Sequence, residues 1–459
     1  MLKRTFLVIC CLASLLCVES ASAQLRLTSQ ANGLPTKDLL ARYALTRGWW
    51  GQAVVDPLGD RVIHISVDEA FVYVQTDLGN ITALDVNTGK RAWYYRFGSN
   101  SAFISRAVSD AETVYFIAGV HLIALDRFSG NEKWMLRLPG PATSQIAVDD
   151  DQIFFGDVTG MFYALDLGRI NQFARDGDLP NSSFDTVNWR YRAADQIRYT
   201  PLLIEDEVVF TGDDGTVYGL AKADKKQFMH FEGDSPIVAP LSHRGRLLYM
   251  SIADRSSRQD KRIFCLNQKT GETVWQRVLT QPVLQRMIVV GENLYAVPAR
   301  VGLMMMNADT GQRFWVNTDT TRFLAQTESF VLGEDDLRNI TLIDKKTGIT
   351  EGRLPLRDFS IRFQNEQTDR LYLARLDGIV VEIHELGSEF PIQYRNQGDQ
   401  PIEPEMAPND ATGQEGDATE PAEPATNNNA EGSNEPQEPE TPQEEPANNN
   451  SGFRDLFGR

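Results

Sequence analysis

Between about residue 60 and residue 392 the chain runs as short apolar stretches cut by polar turns, a pattern of strands rather than helices. Apolar and polar residues alternate over short runs such as 71–75 and 247–251, which predicts β-strands. Turn signals follow at fixed offsets. Asp77-Leu78-Gly79, Asp214-Gly215 and Asp377-Gly378 fall between the second and third predicted strands of a unit. Thr88-Gly89, Ser129-Gly130, Thr270-Gly271, Thr310-Gly311 and Thr347-Gly348 fall after the third.

The pattern repeats. Its clearest copy runs from Val72 to Trp93, and a second holds Val114-Tyr115-Phe116, Ala124-Leu125-Asp126, Ser129-Gly130 and Trp134. The centre of the first apolar run recurs at Tyr73, Tyr115, Phe154, Val209, Tyr249, Tyr295, Phe330 and Tyr372, in steps of 42, 39, 55, 40, 46, 35 and 42 residues. Eight copies with a period near forty predict an all-β, eight-bladed propeller of four-stranded antiparallel blades. A tryptophan lies four residues after the turn glycine at Trp93, Trp134, Trp275 and Trp315, and Trp189 takes that part in copy three after an insertion at about 168–188. A ring recurring at one repeat position is expected to pack between neighbouring blades. Met229 and Gly352 stand in its place in copies four and seven, and copy eight lacks it.

The string Ala-Leu-Asp-x-x-Thr-Gly-x-x-x-Trp, as at Ala83–Trp93, resembles the pyrroloquinoline-quinone (PQQ)-type β-propeller repeat. The body as a whole resembles the eight-bladed, non-enzymatic branch of that family, typified by the lipoprotein subunit of the bacterial outer-membrane β-barrel assembly machinery. The resemblance implies a scaffold for assembly of envelope proteins. It does not bring a cofactor with it: many quinone dehydrogenases of the family carry adjacent cysteines under the cofactor beside a calcium ion, and once the expected signal 1–23, with Cys10 and Cys11, is removed one cysteine and no matching motif remain.

Before the repeat, Pro35–Leu45 reads as one amphipathic helix with Leu39, Leu40 and Tyr43 on a face. The segment after it, through Trp49-Trp50, is expected to complete the last blade with a strand from the far end of the chain. The domains expected are thus a signal peptide (1–23), a helical lead-in (24–50), the propeller (51–395) and a disordered acidic tail (396–459).

Charge sharpens that division. The formal net charge is -18, but residues 396–450 hold 14 Asp or Glu and no Lys or Arg, which leaves the body 24–395 near -6. With no basic excess, nucleic acid is not an expected partner. The same tail holds nine prolines and no aromatic residue, a composition that cannot offset the entropy of ordering. After it, residues 451–459 hold Phe453, Leu456 and Phe457, spaced i, i+3 and i+4, a candidate docking motif on a tether. At the other end Lys3 and Arg4, the apolar stretch Phe6–Cys17 and Ala21-Ser22-Ala23 read as a cleavable export signal. Leu16 before Cys17 does not suit a lipoprotein signal, and no later stretch is apolar and long enough for a transmembrane helix. Export places the protein in the periplasm or elsewhere in the envelope, or outside the cell.

Candidate chemistry is sparse. Cleavage would leave Cys265 as the one cysteine, aligned with the small residues Ala83, Ala124 and Ala164 and so expected buried. Asp85, Asp126, Asp166 and Asp344, with Asn267 and Asn307 in register, are expected to accept hydrogen bonds from turn N–H groups rather than bind metal. The five histidines show no metal-ligand spacing. No catalytic residue and no cofactor are expected. One constellation stands out. His64, Arg106, Gln145 and Arg286 lie nine residues before their copy centres, and Arg198, Arg322 and Arg362 lie close to the same place, with Pro240 in copy five. This position opens the innermost strand of a blade, so the residues are expected to rim the axial channel. The preferred reading there is that they pair with local carboxylates and water; the alternative is that they hold an anionic ligand or an acidic peptide, the chain's own tail included.

The reading carried forward is an exported, non-catalytic propeller that binds other envelope proteins, outer-membrane assembly components among them, as a monomer within a larger complex. The alternative is a propeller that binds an anionic small molecule or polysaccharide on the Arg-rimmed face. A quinone-dependent dehydrogenase ranks third.

Overall fold

A β-strand that is apolar on both faces needs a packed layer on each side, and a ring of radially arranged sheets supplies one. The structure, a computed structural model, describes residues 33–98, 103–180, 183–254 and 261–394. Among these residues the strands form eight four-stranded antiparallel sheets, each built from consecutive strands except the last. Blade 1 is Val62–Val67, Phe71–Thr76, Asn80–Asp85 and Arg91–Arg96. Blades 2 to 7 follow over 108–137, 147–192, 202–232, 242–278, 288–317 and 320–354. Blade 8 joins Ile361–Arg362, Leu371–Ala374 and Ile379–Glu385 to Leu45–Gln52, which supplies its outer strand from the other end of the chain. The protein is an eight-bladed β-propeller.

The alternation expected over 71–75 and 247–251 is not what the strands do. All six residues of Phe71–Thr76 are buried, because a second strand lies mid-blade and is covered on both faces by neighbouring blades. Alternation appears on the outer strands instead, as in Glu132–Arg137, where Trp134 and Leu136 are buried between exposed neighbours. The apolar core is accordingly divided into clusters that each join two adjacent blades. One holds Tyr73 and Trp93 with Phe116 and Ile123, and the cluster that closes the ring holds Trp49, Tyr372 and Val380 with Val72 and Val74.

One register row crosses every blade. Tyr73 pairs with Ala83 and Ala83 with Trp93; Tyr249, Cys265 and Trp275 form the same row in blade 5. In blade 7 the row passes through Leu332, Leu342 and Gly352, so its centre is Leu332, two residues beyond Phe330. Just past the row the pairing slips by one residue, between Ala83 and Leu84 in blade 1 and at the matching place in blades 2 to 7. Such a bulge adds local twist to the outer strand.

The tryptophans cross from blade to blade. Trp93 Nε1 donates to the Arg127 carbonyl (2.8 Å), Trp189 to Lys222 (2.6 Å), Trp275 to Ala308 (3.0 Å) and Trp315 to Lys345 (3.0 Å). Trp134 meets the side-chain carbonyl of Asn171 (2.9 Å), because the helix Leu167–Asp176 replaces the turn in blade 3. Asp85, Asp126, Asn267, Asn307 and Asp344 each hold the turn they lead: Asp85 Oδ1 accepts from the Thr88 N–H (2.8 Å) and hydroxyl (2.7 Å). Gly130, at φ +72°, lies so close under the Trp93 ring that a Cβ there would come within 2.6 Å of it.

The segment after the lead-in helix completes the last blade as expected, while other details of the lead-in differ. The helix is Lys37–Ala41, not Pro35–Leu45, because Ala44 turns to φ +54° and Leu45 already begins the closing strand. Residues 45–50 therefore belong to the propeller. Trp49 also supplies the ring that copy eight lacks: it pairs with Glu382 in the row, its Nε1 donates to the Val86 carbonyl (2.7 Å), and it covers Gly89 of blade 1. In blade 7 the ring of Tyr43 lies over Gly352. The signal segment 1–23 and the tail 396–459 lie outside the described residues.

Candidate functional site: the axial cavity

The chain enters each blade at the axis, and the residue at that entry faces either the neighbouring blade or the central space. His64, Arg106, Gln145, Arg198, Arg286 and Arg322 all line one cavity of about 720 Å³, and Pro240 of blade 5 lines it too. Its walls also include Tyr199, Leu202, Leu241, Leu284 and Phe363, with Gln285, Gln364, Glu366 and Gln367. The cavity is thus amphipathic, with guanidinium groups beside aliphatic and aromatic surface.

Arg362 lines an adjoining pocket with His64, Arg106 and Arg322 but not this cavity. Its side chain is fully buried: Nε donates to the Phe359 carbonyl (2.8 Å), one terminal nitrogen donates to Arg338 (2.6 Å) and Leu356 (3.0 Å), and the other lies 3.2 Å from Glu334. It fixes the passage from blade 7 to blade 8 by satisfying backbone carbonyls that otherwise would lie buried without donors.

The cavity's other charges are unevenly paired. Arg198 Nε lies 2.6 Å from Asp213, in the second turn of its own blade, and Arg286 lies 3.0 Å from Glu366, which comes from the blade 8 entry. Arg322 reaches Glu334 only at 4.0 Å, sharing it with Arg362. Arg106 makes no ion pair among the described residues, while its backbone N–H donates to Gln145 Oε1 (2.6 Å). Desolvation first, then Arg322 and Arg286, lower the pKa of Arg106 below the ordinary arginine value. His64 is lowered by burial and then by Arg106, with its Nε2 3.0 Å from the Ile104 carbonyl pulling the other way. An imidazole shifted down from about 6.5 is neutral at pH 7 and adds no charge.

The repeat places the arginines near the axis and lets carboxylate partners be expected there, but it does not say which carboxylates these are. Glu366 lies 80 residues from Arg286, and no spacing signal connects them. The apolar wall from Leu284 and Phe363 was missed as well. The docking motif Phe453, Leu456 and Phe457 lies outside the described residues. Chemistry elsewhere is quiet: Cys265 is buried, and burial pushes its thiol up to about 12. Among the described residues no group of three or more His, Cys, Asp or Glu is placed to hold a metal ion, and no helix is long and apolar enough to cross a membrane.

Eight blades with a recurrent Trp-over-turn lock define a propeller of the PQQ-like repeat class. The comparisons narrow this. The family described as outer membrane protein assembly factor BamB matches residues 47–160 and 181–348, more than half of the chain, and the chain belongs to that family. A crystal structure of BamB from Moraxella catarrhalis is similar at a TM-score of 0.55 and 16% identity, covering 72% of this chain and 98% of that one. A computationally designed protein, Ika8, is similar at a TM-score of 0.54 and 15% identity, covering 73% of this chain and 100% of that one. At these identities the two likenesses are of fold alone. No curated protein sequence matches the chain.

Proposed function

We propose that this chain is exported to the cell envelope and acts there as a non-catalytic scaffold that binds other envelope proteins, components of outer-membrane protein assembly among them. The family match across the propeller carries this reading. The physical form suits it. A closed ring with a locked core is a rigid frame, and each blade ends in an outer strand with one unpaired edge, the element onto which a partner strand can add. Those outer strands also present exposed apolar side chains, Trp50, Tyr94 and Phe314 among them.

In this reading Met1–Ala23 directs export, the acidic segment 396–450 is a tether, and the protein works as a monomer inside a larger complex. The test is affinity capture of the tagged full chain from envelopes crosslinked before solubilisation. Recovery of outer-membrane assembly components above the level seen with an unrelated exported protein supports the proposal. Their absence, with the chain intact and folded, removes it. A variant lacking 396–459 shows in the same experiment whether the tail recruits the partner.

A further inference from the structure

We propose that the mouth of the axial cavity is a binding site for a small organic phosphomonoester, its dianionic head held by Arg106, Arg286 and Arg322 and its organic body against Leu241, Leu284 and Phe363. This goes beyond the scaffold reading and stands or falls separately from it.

Charge is the first argument. Arg198 and Arg286 each have a carboxylate of their own, while Arg322 and Arg362 share Glu334 and Arg106 has none among the described residues. Two positive charges are therefore left over at the mouth, in a body whose overall balance is negative. Like charges gathered in a partly desolvated cleft repel one another, and the structure keeps them together. Arg106 is the group on which this falls, with Arg322 and Arg286 as the neighbouring cations. A phosphomonoester, at about -1.5 to -2 near pH 7, would offset both charges, whereas a monocarboxylate would offset one. Guanidinium groups also match phosphate oxygens in geometry.

Shape is the second argument. About 720 Å³ lies within the range of small-ligand pockets, roughly 300–1,000 Å³. Leu284 is 56% exposed at the cavity wall, an apolar surface left open beside the guanidinium groups. A free inorganic anion would leave that surface wet. A phosphate carried on an organic body would cover it.

The experiment is titration calorimetry of the full chain with phenyl phosphate, and with inorganic phosphate as the second arm. The expected result is one saturable site, tighter for phenyl phosphate than for phosphate and weakened by added salt. Arg106→Gln should loosen it about tenfold or more, as loss of a charged hydrogen bond would. Arg322→Gln should do likewise, and covers the case in which Arg106→Gln fails to fold. Arg137→Gln, on an exposed outer strand, should leave it unchanged. Absence of saturable binding, or equal binding by the Arg106 and Arg322 variants and the wild type, overturns the site. Equal affinity for the two probes overturns the organic body.

Discussion

Replacing Trp49 by alanine tests how the ring is closed. The side chain is only 7% exposed and lies within the cluster that joins blade 8 to blade 1. Truncating a buried aromatic side chain costs about 3–5 kcal/mol, from lost transfer energy and the cavity left behind. The Val86 carbonyl also loses its 2.7 Å donor, but it is not fully buried, and water can replace much of that bond. The expected loss is therefore about 3–5 kcal/mol, with little added by the hydrogen bond. Trp50, its neighbour, points outward at 46% exposure, so Trp50→Ala should stay within about 0.5 kcal/mol of the wild type. Both are read from urea unfolding followed by circular dichroism. Hydrogen exchange should show the largest loss of protection in Ile379–Glu385, the strand that pairs with the closing segment. A Trp49→Ala variant within about 1 kcal/mol of the wild type, or a Trp50→Ala variant as damaging as Trp49→Ala, would refute the assignment of Trp49 as the lock of the eighth blade.

Three further outcomes are expected. Gly130→Ala places a Cβ against the Trp93 ring at a left-handed backbone position and should cost well over 2 kcal/mol. Gly98→Ala, also left-handed but with open space around it, should cost about 1 kcal/mol in the same urea assay. Burial pushes the Asp68 carboxyl up, but Arg127, Ser109, the Phe71 N–H and Tyr73 together hold its pKa below the ordinary value. The unfolded chain then binds the proton more readily, so this stabilisation is full above about pH 3.9 and is lost as the pH falls through the folded-state value. Asp68→Asn should flatten that part of the acid limb in a pH series of melts. It should also cost about 1–2 kcal/mol at pH 7, because Arg127, itself only 10% exposed, loses its buried partner and keeps only the exposed Glu69 at 3.0 Å. Cys265 should resist alkylation at pH 8 in the folded protein and react once unfolded, read by mass mapping of its peptide, because its thiol is buried and pushed up to about 12.

The ring was legible because its parts repeat. A Thr-Gly turn, an alanine row and a tryptophan at one offset are local signals, and eight copies leave few architectures open. What failed to show was whatever lay outside the copy. A closing strand after the lead-in helix is legible, but Trp49 as the missing ring of blade 8 is not, because that strand is separated from its blade by most of the chain. Arg362 looked equivalent to Arg322 because both precede their centres by a similar count. Both line one axial pocket, but Arg322 also opens into the larger cavity while Arg362 donates to three backbone carbonyls, a difference set by the path between blades 7 and 8. Phe330 looked like a copy centre because it is aromatic, yet the pairing runs through Leu332. The carboxylates that pair with the arginines come from other turns, and their positions depend on the closed ring.

The central claim is that this propeller serves assembly of outer-membrane proteins. Its most direct measurement is the amount of folded barrel protein in the outer membrane of cells depleted of this chain, resolved from unfolded barrel protein by resistance to SDS. The account predicts that folded barrels fall on depletion and return with the wild-type chain. Unchanged folded barrel levels on full depletion would contradict it.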